Sequence, residues 1–257
     1  LRLVRLGSTR LAVYTHGSVP GSFIEDCMGV LREVYGVAER RGEAPGLVEL
    51  HLYEDRAALR GFLSGEAARL GVSVDAEFVV MHEAWTGVPR IHVPLDAWGS
   101  RWFRPLLGHE AVHNVLHGSL LYYVVEAPEP GGLGVLAAYA AAAVVKDLEV
   151  HVWARLAGLR WLLEGMRSYW LMEAGLGGFS CLSVEEVMDA ARAATAWLAE
   201  GMEPPLSRGC RARLGSLLGL LRSAAGEWLG GGERPWSRVG EAAALLLEAL
   251  RGVRGGG

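Results

Sequence analysis

Lysine is nearly absent from this chain of 257 residues: of its 25 Lys and Arg residues, only Lys146 is a lysine. That bias is read as a property of coding or of a heat-adapted source, not of a site. The basic residues are outnumbered by 29 acidic ones, and the net charge of −4 argues against a general nucleic-acid binder. Aspartate is scarce too, six against 23 glutamates, so an aspartate inside an apolar helix stands out. Cysteine occurs three times, as Cys27, Cys181 and Cys210, odd in number, far apart and without C-x-x-C spacing. This excludes a thiolate zinc motif and predicts buried free thiols in a reducing compartment. No apolar run reaches the ~18 residues that a bilayer span needs. The longest, residues 133–145, ends at Lys146 and Asp147. The first seven residues are too short and too arginine-containing for a signal peptide. The expectation is a soluble cytoplasmic protein with no membrane partner.

What is present suffices for one large domain or two small ones, since 51% of the residues are hydrophobic. Short strands are predicted at 1–4 and 10–15, around the turn Gly7-Ser8. Ser22 and Glu25 have capping-box spacing and open a helix to about residue 41. Residues 47–53 alternate as a strand does, and Asp55 caps a helix over 56–70. Strands at 77–85 and 90–95, joined by a turn at 86–89, make a hairpin. Beyond residue 100 the period changes to that of helices, predicted at 102–126, 133–156, 159–174, 183–200, 206–229 and 237–251. A glycine-containing turn is predicted at 176–181 and a disordered tail at Gly255-Gly256-Gly257. The fold class is α+β: a small mixed sheet with helices over 1–100, then a mainly helical part over 101–257.

Within the helix at 102–126 stands His109-Glu110-Ala111-Val112-His113, an H-E-x-x-H sequence. Residues four apart share one helix face, so the two imidazoles can aim at one ion. Glu110, next to His109, can reach a water on that ion. Random order would produce such a motif in roughly one chain in fifty, so its context matters. A strand just before it and apolar residues throughout its helix supply that context.

A catalytic zinc site takes three protein ligands and a water. In the apolar helix at 133–156 the run Lys146-Asp147-Leu148-Glu149-Val150-His151 is out of place. An ionised carboxylate is costly to bury unless paired or bound to metal. At 100° per residue Asp147 and His151 share a face lined by alanine and valine. Glu149 falls about 200° from Asp147, so only one of the two acids can face a site. Asp147 is the favoured third ligand, with His151 supporting it and Glu149 paired to Lys146 or Arg155. Glu149 is the alternative ligand. His117 also competes, but His109, His113 and His117 span two helical turns, about 12 Å of rise, too long for one ion. It is assigned instead as a supporting or core histidine.

Taken together, the strand at 90–95, the HEAVH helix and the later acid-bearing helix resemble a zincin metallopeptidase over residues 77–156. The gluzincin group is the nearest likeness: there a glutamate on a second helix binds the metal and an acid four residues later supports a histidine. Here that pair reads Asp147 and His151. His113-Asn114-Val115-Leu116-His117-Gly118 does not continue as a metzincin motif. The resemblance implies a zincin-like fold, one zinc ion, a peptide or protein substrate and hydrolysis with Glu110 as general base. Tyr122, Tyr123, Tyr139, Tyr169 and His151 are unranked candidates for stabilising the oxyanion. His16, His51, His82 and His92, on predicted strands, are read one by one as surface or satisfied histidines, and the tryptophans as core. The run 208–213 is read as a solvated helix start. The alternatives are a zincin-fold binding or scaffold protein without proteolytic activity, and a helical regulatory domain with a chance motif.

Overall fold

The computed structural model describes residues 1–70, 79–175 and 178–254. The predicted tail at 255–257, and parts of the predicted strand at 77–85 and turn at 176–181, lie outside them. By its internal contacts the chain forms two units, Leu1–Leu120 and Leu121–Gly257. Sequence periodicity changes near residue 100, whereas this division assigns the HEAVH helix to the unit that holds the sheet.

The first unit is built on a mixed five-stranded sheet in the order β1-β2-β3-β5-β4. Its strands are β1 (Arg2–Leu6), β2 (Thr9–His16), β3 (Leu47–Tyr53), β4 (Met81–Glu83) and β5 (Arg90–Pro94). β2, β3 and β5 run parallel, while β1 and β4 pair antiparallel at the two edges. Strand alternation sends Leu11, Val13, Val48, Leu50, Leu52, Ile91 and Val93 into the core. The helices are α1 (Gly21–Arg40), α2 (Arg56–Leu70) and α3 (Phe103–Leu116). α1 packs along α3, tied near the C-terminal end of α3 by Asn114 Nδ2 donating to the buried Tyr35 hydroxyl at 2.7 Å. Asp55 caps α2 as predicted, accepting from the Ala58 N–H at 2.7 Å.

Three details differ from the sequence expectation. α1 starts at Gly21 with Pro20 as N-cap and no side-chain cap bond, so Ser22 is already inside the helix and no capping box forms. Among the described residues β4 is only three residues long. The chain turns just after it, the Gly87 N–H donating to the Ala84 carbonyl at 3.1 Å. The helix predicted over 102–126 stops at Leu116, and a separate 3-10 turn follows at Leu120–Tyr123. Gly118 marks the break: a Cβ there would sit 3.0 Å from the Asn114 carbonyl oxygen and 3.3 Å from Pro89 Cγ. A side chain there would require the Asn114 carbonyl and Pro89 to give way by a few tenths of an ångström.

The second unit is helical: α4 (Gly132–Leu156), α5 (Arg160–Ala174), α6 (Val184–Leu198), α7 (Arg208–Leu229) and α8 (Val239–Arg254). α4 is the central element, packed against α5, α6, α7 and α8. Its alanines allow close approach, and Trp153 is completely buried. Ser183 and Ser207 cap α6 and α7. Among the described residues all five strands precede residue 100, and no helix is long and apolar enough to cross a membrane.

The cysteine expectation is corrected. Cys181 and Cys210 are disulfide-bonded, with Cα atoms 5.0 Å apart, and only Cys27 is a free buried thiol. Residues 29 apart in sequence meet because a bridge between Phe179 and Leu206 brings the segment before α6 beside the start of α7. Cys210 therefore points inward from a run in which Arg208 and Arg211 are exposed.

Candidate metal centre

His109 and His113 both lie on the buried side of α3, 3% and 6% exposed, and Glu110 between them is half-buried. Nearly every residue of α3 is buried, which holds the helix at one rotation. The Nε2 atoms of His109 and His113 lie 3.0 Å apart, with their rings edge to face at 77°. Two imidazoles bound tetrahedrally to zinc at 2.0–2.1 Å place their nitrogens about 3.3 Å apart. The observed pair is within a few tenths of an ångström of that, and its ring planes are crossed. The donor set fits a metal ion.

On the other side of the His113 ring, Nδ1 lies 2.8 Å from His117 Nδ1. His117 is fully buried one residue beyond α3, its N–H donating to the His113 carbonyl at 2.7 Å. From the edge strand β4, His82 stacks on His113 with ring centroids 5.4 Å apart. Sequence reasoning did not connect His82 to the motif; its place on the predicted hairpin was the available signal.

In the second unit Asp147, Glu149 and His151 are all buried in α4. Asp147 Oδ2 accepts from Arg192 Nε at 2.9 Å. One turn later His151 Nδ1 lies 2.9 Å from Thr195 Oγ1, whose hydrogen goes to the Arg192 carbonyl at 2.6 Å. His151 is therefore the Nδ1–H tautomer, with Nε2 as its acceptor nitrogen. The shared face of Asp147 and His151 is thus the face that α6 covers. Glu149 is paired to Arg234 through both oxygens and accepts from the Trp236 N–H at 2.8 Å. The predicted cations, Lys146 and Arg155, are elsewhere: Lys146 lies over the Tyr123 ring, and Arg155 donates to the Ala199 carbonyl at 2.7 Å. Sequence distance hid Arg234, 85 residues away. His109, His113 and Asp147 are each buried, and each offers an atom of the kind that could hold a metal ion.

Of the oxyanion candidates, Tyr122 packs edge-on against Trp236 and Tyr169 against Trp170, while Tyr139 is 63% exposed.

The histidines of the sheet, read singly from the sequence, act as a group. On the face under α2, His16 Nε2 meets His51 Nδ1 at 3.1 Å and His51 Nε2 meets Glu49 Oε2 at 3.3 Å. Beside them the Tyr53 hydroxyl meets His92 Nδ1 at 2.8 Å, and His92 Nε2 lies 3.2 Å from Glu83 Oε1. Arg90 reaches Glu49, Glu66 and Glu83, and Phe62 of α2 covers the rings. Burial pushes His51 down to about 2, helped by the neighbouring His92, His16 and Arg90, and it lowers His16 as well. Burial alone raises Glu83, but hydrogen bonding and charge from His92, Trp85 and Arg90 leave it below the usual carboxylate range. The rings of His16 and His51 are almost coplanar, 13° apart with centroids 5.3 Å apart. Their facing nitrogens therefore meet head-on, as in a hydrogen bond, and do not converge on a third point.

Comparison of the chain with protein-family models, curated proteins and solved structures finds no match.

Proposed function

We propose that this chain is a zinc-dependent metallopeptidase of the zincin type, resembling gluzincins. One observation carries the reading: two buried imidazole Nε2 atoms 3.0 Å apart on a helix that sets a half-buried glutamate between them. His109 and His113 would hold the ion. Asp147 is the proposed third ligand, because Glu149 is already engaged through both oxygens by Arg234 and the Trp236 N–H. Bound there, zinc supplies Lewis acidity and brings the pKa of its water toward neutrality. Glu110 takes the proton of the attacking water and delivers it to the leaving amine of a peptide substrate. Glu110 is next to His109 in the chain and is only partly buried. The burial of both histidines keeps competing water away from their ring nitrogens.

The test is zinc content and peptide hydrolysis of the wild type and Glu110→Gln. The wild type is expected to hold close to one zinc per chain and to cleave an unstructured protein such as casein. Glu110→Gln is expected to keep the zinc and lose the cleavage, because the amide matches the carboxylate in size but takes no proton. A chain that holds no transition metal after purification with added zinc overturns the proposal. Zinc bound without cleavage by the wild type leaves a binding or scaffold protein.

A further inference from the structure

His109, His113 and His117 form a ladder of two nitrogen-to-nitrogen contacts, each with room for one hydrogen. His109 Nε2 and His113 Nε2 are 3.0 Å apart, and His113 Nδ1 and His117 Nδ1 are 2.8 Å apart. A neutral imidazole has one N–H, so His113 must be a donor at one contact and an acceptor at the other. Two orders are possible. In the first, His113 Nδ1–H donates to His117 Nδ1, and His113 Nε2 keeps its lone pair and accepts from His109 Nε2–H, a hydrogen that would pass to His109 Nδ1 when an ion takes the two Nε2 atoms. In the second, His117 Nδ1–H donates to His113 Nδ1, and the hydrogen on His113 Nε2 blocks that nitrogen as a ligand.

We propose that His117 is a positioning residue that holds His113 in the Nδ1–H tautomer and so presents its Nε2 lone pair as a metal donor. The inference rests on the metal-site reading above. Metal-ligating histidines as a rule donate their other N–H to a fixed acceptor, commonly a carboxylate or a carbonyl. Here the acceptor is a fully buried imidazole from the same stretch of chain. Its position follows from the early end of α3: His117 lies past the last helical residue, with φ −124° and ψ 24°, and its ring lies beside that of His113. In a dry site the bond is strong, and an N–H left without its acceptor is costly.

The experiment combines nitrogen-15 NMR of the histidine rings with zinc competition against a chelator. In the wild type, both zinc-free and zinc-loaded, His113 is expected as the Nδ1–H tautomer. In zinc-free His117→Phe it is expected to shift toward Nε2–H. His117→Phe keeps the ring shape without an acceptor and is expected to weaken zinc roughly 10–100-fold. His117→Asn sets Oδ1 where the imidazole has Nδ1 and is expected to stay within about threefold of the wild type. His117→Gln carries its oxygen one bond further out and is expected to behave like the phenylalanine variant. Circular dichroism confirms that each variant is folded. The proposal is overturned if His113 is Nε2–H in the wild type, if His117→Phe binds zinc as tightly as the wild type, or if Asn and Phe weaken it alike. If the wild type takes up no zinc, the metal reading fails, while the zinc-free spectra still decide the tautomer.

Discussion

Glu149 lies wholly buried in α4 and is gripped by Arg234 through both carboxylate oxygens, while the Trp236 N–H donates to Oε1 at 2.8 Å. The acid thereby pins the 3-10 turn Pro235–Arg238, which leads into α8, to the central helix. The guanidinium sits within 5.6 Å of the ring centres of both Tyr122 and Trp228, so its position is fixed from two sides.

Removing one partner leaves an uncompensated charge. Breaking a fully buried pair costs about 3–5 kcal/mol. Arg234 keeps about a third of its side chain in solvent. That screening brings the expected loss for Glu149→Ala to about 2–3 kcal/mol. Chemical denaturation of the variant measures it. A loss below about 0.5 kcal/mol, the range of neutral surface changes, shows that the pair does not stabilise the unit.

Zinc affinity separates the two acids of α4. Asp147→Ala is expected to weaken zinc roughly 10-fold or more, and Glu149→Ala to leave the stoichiometry at one. Competition with a chelator reads both variants. The reverse result assigns Glu149 as the ligand and makes the site an ordinary gluzincin one. Two null results place the third ligand elsewhere, His151 being the nearest alternative on that face of α4.

The disulfide closes a loop with a sequence separation of 29. Chain entropy predicts that such a link stabilises by roughly 3–4 kcal/mol. Adding a reductant, or replacing Cys181 and Cys210 by alanine, is expected to lower the melting temperature by several degrees. Identical melting with and without reductant shows that the link contributes nothing.

The sheet under α2 makes stability dependent on pH. His51 and His16 are harder to protonate folded than unfolded, where histidine titrates near 6.5. Below that pH the unfolded chain takes up protons that the folded chain does not. Stability is therefore full above about pH 6.5 and falls as the pH drops below it, by about 2 kcal/mol at pH 5 for His51 alone. Glu83, lowered in the fold, acts in the same direction at more acid pH. Urea midpoints at pH 7.5 and 5.0 measure the slope. His51→Gln is expected to flatten it, and an unchanged slope removes His51 as the cause.

Local pattern carried much of the architecture. Alternation in 47–53 and the Asp55 cap located β3 and α2, because a strand face and a helix start depend on residues within one or two turns. The H-E-x-x-H spacing alone put His109 and His113 on one side of α3, since helix geometry fixes residues four apart. Tertiary structure decided what depends on distant residues. Pro89 packs against Gly118, where α3 has ended and the predicted helix would have continued. Arg234, 85 residues away, took the role given to Lys146 and Arg155 because the folded chain brings its guanidinium against the buried carboxylate of Glu149. Parallel pairing of β2, β3 and β5 turned separate histidines into one buried network. Cys181 and Cys210 meet through a fold in the chain that no cysteine spacing encodes. In each case the deciding partner is remote in sequence, and its effect exists only after the backbone has brought the two together.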